Sequence, residues 1–97
     1  MKFMIQWKPK SLITPAELDA VVNRFAHMTA ADDSAMDGPH VKTLGRWHKA
    51  AYSGEGIGIV EAESLTALSK NLSQWKIFNF TVEPVLNDDE FRATFRQ

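Results

Sequence analysis

Apolar and polar residues alternate from Lys2 to Trp7, with Phe3, Ile5 and Trp7 on one side and Met4 and Gln6 on the other. A period of two predicts a strand, and Pro9 ends it, because proline has no N–H to give a ladder. The period then changes. Leu18, Val21, Val22, Phe25 and Met28 recur at spacings of three and four, one face of an amphipathic helix. Thr14 as N-cap, Pro15 at the first helical position and Glu17 three residues after Thr14 start that helix, which is predicted over about residues 15–29. Residues 30–40 contain Asp32, Asp33, Ser34, Asp37, Gly38 and Pro39, a composition that predicts a surface loop, long enough to serve as a lid. Two short apolar runs, Val41, Leu44 and Trp47, then Ile57, Ile59 and Val60, flank Ser53-Gly54-Glu55-Gly56 and predict a hairpin with strands near 41–49 and 56–62. Ser64 caps a second helix to about residue 76, with Leu65, Leu68, Leu72 and Trp75 along one side. Residues 77–86 alternate again and predict a fourth strand. Asn87 or Asp88 then caps a short terminal helix, with acids at its start and Arg92 and Arg96 toward its end, the order a helix dipole favours.

The order β-α-β-β-α-β with a small tail predicts one α+β domain over residues 1–97, a ferredoxin-like sandwich of four antiparallel strands with both helices on one face. Helices cover only one side of such a sheet. Each strand is nonetheless partly apolar on both sides, with Met4, Leu44 and Val85 outside the expected core stripe, and two buried faces account for that. A homodimer that joins the bare faces is the simplest symmetric arrangement; ordinary exposure of single apolar residues is the alternative.

Ninety-seven residues suit one domain, and 11 Lys and Arg against 12 Asp and Glu leave a formal charge of -1. No broad positive field exists to draw nucleic acid or an anionic membrane. The chain has no cysteine, so disulfides, thiolate nucleophiles and Cys-based metal sites are excluded. Residues 1–7 are too short for a signal segment, and no apolar run is long enough to span a bilayer. A cytoplasmic protein is expected.

MKFMIQWK at the start, Gly45-Arg46-Trp47-His48, the GIGIVEAES segment and FTVEPVLNDDE near the end resemble an uncharacterised bacterial family of unknown function, number 3303. That family is similar to the dimeric α/β-barrel superfamily. The resemblance implies a ferredoxin-like subunit and a side-by-side dimer. It implies no activity, because that superfamily includes cofactor-free monooxygenases, haem-degrading and decarboxylating enzymes, and pure binding proteins.

Candidate chemistry gathers in the hairpin. With an even-numbered turn, Arg46 lies across from Glu61 and His48 across from Ile59, giving a cross-strand ion pair; a three- or five-residue turn puts Arg46 and Glu61 on opposite faces. In a cleft, Glu61 orients Arg46 or His48, and His48 acts as a general base or binds an anionic or carbonyl ligand. The alternative is a structural ion pair at a sheet edge. His27 suits a helix C-terminus and His40 lies in the loop, so the three histidines form no metal motif. Trp47, Trp7 and Trp75 belong to the core, or wall a pocket between helices and sheet for a small apolar or carbonyl-bearing molecule. GEGIG precedes a strand and lacks the final spaced glycine, so it is no dinucleotide fingerprint, and no cofactor is expected. Three roles follow: a small-molecule binder, a cofactor-independent monooxygenase, isomerase or decarboxylase using His48, or a structural or regulatory dimer module.

Overall fold

The computed structural model describes residues 1–96. Its strands are β1 (Lys2–Pro9), β2 (Val41–His48), β3 (Gly56–Ala62) and β4 (Phe78–Val85), and its helices α1 (Pro15–His27), α2 (Ala30–Asp37), α3 (Leu65–Leu72) and α4 (Asp88–Phe95). The strands form one sheet in the order β2-β3-β1-β4, and every neighbouring pair is antiparallel. The molecule is an α+β protein with a four-stranded antiparallel sheet and four helices.

The alternation along β1 decides which face is buried. Phe3, Ile5 and Trp7 are 2%, 7% and 6% exposed and point to the helices. Their partners on β3 are Val60, Gly58 and Gly56, and on β4 they are Pro84, Val82 and Phe80. Two clusters fill this layer. One joins Phe3, Ile5, Val41, Val60 and Ala62 to Leu68 of α3; the other joins Trp7 and Phe78 to Val21 and Phe25 of α1, Met36 of α2 and Trp75. Trp7 fits because its neighbours on β3 have no side chains. A Cβ on Gly56 collides with the Trp7 ring and comes within 2.6 Å of the Trp47 carbonyl oxygen. These two glycines are a notch for an indole, which explains residues that otherwise weaken a strand.

The caps match the sequence. Thr14 and Glu17 form a capping box at α1, Ser64 caps α3, and Asn87 with Glu90 caps α4. The second helix stops at Leu72, four residues short of the expected end, although Trp75 still reaches the core at 8% exposure.

Residues 30–37 depart from the expected loop and form α2. Thr29 and Asp32 make a second reciprocal capping box, with Thr29 N–H donating to Asp32 at 2.9 Å and Asp32 N–H donating to Thr29 Oγ1 at 3.2 Å. Aspartate in the third position, where glutamate or glutamine is more usual, does the same work. Asp37 then accepts from Thr43 N–H at 2.8 Å and Thr43 Oγ1 at 2.7 Å, and Asn71 Nδ2 donates to the carbonyls of Met36 and Asp37. The C-terminal end of α2 is thus tied to both β2 and α3.

The second departure is in β2. Val41, Lys42 and Thr43 face Ala62, Glu61 and Val60, but Gly45, Arg46, Trp47 and His48 face Ile59, Gly58, Ile57 and Gly56, with a register shift between Thr43 and Gly45. Leu44 is the extra residue of a β-bulge, and one extra residue reverses the faces of everything after it. Val41 therefore points to the core at 8% exposure, whereas Trp47, expected on the same side, lies on the uncovered face at 60%.

Candidate functional site

The bulge turns Arg46 and His48 onto the helix side of the sheet, beside an aromatic stack. Trp7 and Phe25 lie 6.1 Å apart at 21°, and Phe25 and Trp75 5.3 Å apart at 11°. His48 meets two of these rings edge-on, at 4.9 Å from Phe25 and 5.7 Å from Trp7. Arg46 carries its guanidinium 5.3 Å from the centre of Phe25 and donates from Nη2 to Asp33 of α2 at 2.6 Å. Only 18% of the Arg46 side chain is exposed, against 42% of Asp33.

Between the helices and the sheet is a small cavity of about 50 Å³, lined among others by Trp7, Phe25, Met36, Arg46, Trp75 and Phe78. Two of the residues in this lining each carry a buried side-chain donor without a partner among the described residues, Trp7 Nε1 and Arg46 Nη1. Buried donors nearly always have acceptors, and an unmet one costs about 1–3 kcal/mol. Two such residues around one cavity favour a group that brings an acceptor. On the other side of Trp7 is an open concavity of about 570 Å³, whose lining includes Trp7, Trp47, His48, Lys49 and Glu55.

His48 holds its proton less tightly than an ordinary histidine, because burial disfavours the charged ring and the Arg46 charge adds to that. The unfolded chain, with the ordinary value of 6.5, therefore binds more protons than the folded one as pH falls through that value. Stability from neutral His48 is complete above pH 6.5 and is lost as pH falls from there through the lower folded value. Urea denaturation at pH 7.5 and pH 5.5 is expected to give a larger loss on acidification in the unaltered protein than in His48→Gln; equal losses contradict the assignment.

Arg46 does not meet Glu61. The Lys49 N–H donates to the Glu55 carbonyl at 3.0 Å, leaving the five-residue turn 50–54 instead of an even one. Arg46 then faces Gly58, His48 faces Gly56, and Glu61 faces Lys42 and Lys2 on the opposite side of the sheet. The five-residue turn is the case in which Arg46 and Glu61 fall on opposite faces, so the pair that depends on an even turn does not form and Glu61 is not placed to orient Arg46 or His48. Asp33 supplies the carboxylate instead. Its place was hidden because residues 30–37 read as a loop; the Thr29–Asp32 capping box was the signal that would have revealed it. Trp7 and Trp75 line the inner cavity, whereas Trp47 lines only the outer concavity. His27 Nδ1 donates to the Asn23 carbonyl at 2.8 Å, and His40 sits 2.9 Å from Glu63. Among the described residues no group of three His, Asp or Glu side chains is placed to hold a metal ion, and no helix is long and apolar enough to cross a membrane.

An antiparallel sheet roofed by helices, with an arginine and a histidine turned toward an aromatic interior, defines a small α+β protein. The model of a domain of unknown function, DUF3303, matches residues 1–97, and the chain belongs to that family. No curated protein matches it.

Proposed function

We propose that this protein binds a small apolar molecule through a hydrogen-bond acceptor, which enters the layer between helices and sheet and meets Trp7 Nε1 and Arg46 Nη1. The observation that carries this reading is a pair of unpartnered buried donors belonging to two residues, Trp7 and Arg46, that line one aromatic cavity. Phe25, Trp75 and Phe78 provide walls for the apolar remainder, and the small number of convergent polar groups fixes its orientation. The test is an acetone titration followed by the indole N–H signals of the 15N-labelled protein. The Trp7 signal is expected to move while that of Trp47 stays, and the movement is lost in Arg46→Met. A stationary Trp7 signal rejects the site.

The fold in this reading is ferredoxin-like and the functional unit a homodimer. The strand order, with both hairpin strands to one side of β1 and β4 to the other, supports the first. Three features support the second. Met4, Ile57, Ile59 and Trp47 occupy the uncovered sheet face. Phe91 and Phe95 of α4 pack on each other and stay 55% and 60% exposed. The radius of gyration, 14.8 Å, exceeds the roughly 12.5 Å of a compact chain of this length. Light scattering after gel filtration is expected to give twice the chain mass; a monomer at micromolar concentration contradicts the dimer.

A second reading, in which His48 accepts a proton from a molecule held in the outer concavity that it lines, is supported by the neutral state that its surroundings favour.

A further inference from the structure

We propose that Asp33 makes this site selective for a neutral carbonyl over a carboxylate. The inference rests on the acceptor-binding reading above and names the class of acceptor. Among the described residues Arg46 is the one cation in the lining of the inner cavity, and its guanidinium already faces the Asp33 carboxylate, with Nη2 at 2.6 Å. The pair is electrically neutral as a unit. His48, the next titratable ring, touches Trp7 and Phe25 and is held toward its uncharged form. Asp37 also lines the cavity, and both of its carboxylate oxygens accept from Thr43.

An entering anion therefore meets one positive charge that is already matched and a second carboxylate close by. It loses its hydration without gaining a net countercharge, and burying an unmatched charge is far more costly than burying a hydrogen-bonded dipole. A ketone, aldehyde or amide oxygen escapes that cost. It accepts from Arg46 Nη1 and Trp7 Nε1 as a neutral group and leaves the Arg46–Asp33 bond in place. The cavity volume of about 50 Å³ limits the buried part to a carbonyl and its immediate substituents.

Asp33 is then a specificity-determining residue that acts through Arg46, and its removal has a predicted sign. Asp33→Asn keeps an oxygen able to accept from Arg46 Nη2 and removes the charge, so the guanidinium becomes free to pair with an incoming anion.

Acetone and acetate have the same number of heavy atoms and differ in charge, which makes them the probes. Their dissociation constants are read from the Trp7 indole N–H shift for the unaltered protein, Asp33→Asn and the remote charge control Asp89→Asn. The unaltered protein and Asp89→Asn are expected to favour acetone by about tenfold, a difference of about 1.4 kcal/mol. In Asp33→Asn the preference is expected to fall by at least that factor or to reverse. Acetate bound as tightly as acetone by the unaltered protein overturns the inference alone, and so does an unchanged preference in a folded Asp33→Asn. No response to either probe overturns the acceptor site itself. The first comparison uses only the unaltered chain, so a folding defect in the variant leaves it standing.

Discussion

Trp7→Ala is expected to lower the folding free energy by about 3–5 kcal/mol, the range for removing a large aromatic from a packed core. Trp7 is 6% exposed and is held on three sides, by the Gly56 and Gly58 strip of β3, by Phe25 of α1 and by the edge of His48. Two glycines that exist to admit an indole cannot refill the space it leaves, so little of the cavity collapses. One effect works in the opposite direction. The indole N–H is buried without a partner, and deleting it recovers some of the roughly 1–3 kcal/mol that such a group costs. Trp7→Phe bears on this balance, since it keeps a six-membered ring in the notch while it removes the donor with a smaller part of the apolar volume than Trp7→Ala does. Urea denaturation is the measurement, with Trp7→Phe expected to lose less than half as much as Trp7→Ala. Equal losses contradict the idea that the notch, rather than the N–H, is what Trp7 contributes.

Leu68→Ala is the second large effect, at about 2–5 kcal/mol. Leu68 is fully buried, and it is the buried α3 side chain of the cluster of Phe3, Ile5, Val41, Val60 and Ala62, with Leu72 of the same helix packed against it. Truncating it removes the main apolar tie between that helix and the first three strands of the chain. A domain of this size has only about 5–15 kcal/mol in total, so either variant consumes a large share and lowers the melting temperature by roughly 10 °C or more. Leu68→Ala also has a second readout. Leu68 does not line the inner cavity, so Leu68→Ala is expected to retain the acetone shift of the Trp7 indole N–H where it remains folded. Loss of that shift in the folded variant means that the site reports only global stability.

Much of this architecture is legible in the sequence because local patterns and tertiary packing agree. Phe3, Ile5 and Trp7 alternate and are buried together. Thr14 and Glu17 cap α1 as their spacing predicts. The failures have physical causes of their own. In β2 the apolar residues Val41, Leu44 and Trp47 are three apart, a spacing that fits no regular strand. That mismatch was the trace of the Leu44 bulge, but a one-residue insertion leaves composition and periodicity almost unchanged while it reverses two catalytically able side chains. In α2, Asp32 and Asp33, which read as loop, are helix-starting groups in the first turn, where they face the positive end of the helix. The candidate site was half visible as a result. Arg46 and His48 stand on one face as an alternation within the hairpin strand predicts, the pairing of Arg46 with Glu61 depended on a turn length the sequence does not specify, and Asp33 and Phe25 emerged only once chain elements distant in sequence were brought together.

Everything in the proposed site depends on which face of β2 carries His48. Nuclear Overhauser contacts of the His48 ring decide this, since its centre is 4.9 Å from that of Phe25. The account predicts strong contacts from His48 to Phe25 and Trp7 and none from Trp47 to Phe25. Contacts from Trp47 to Phe25, with His48 silent, place the opposite face inward and contradict it.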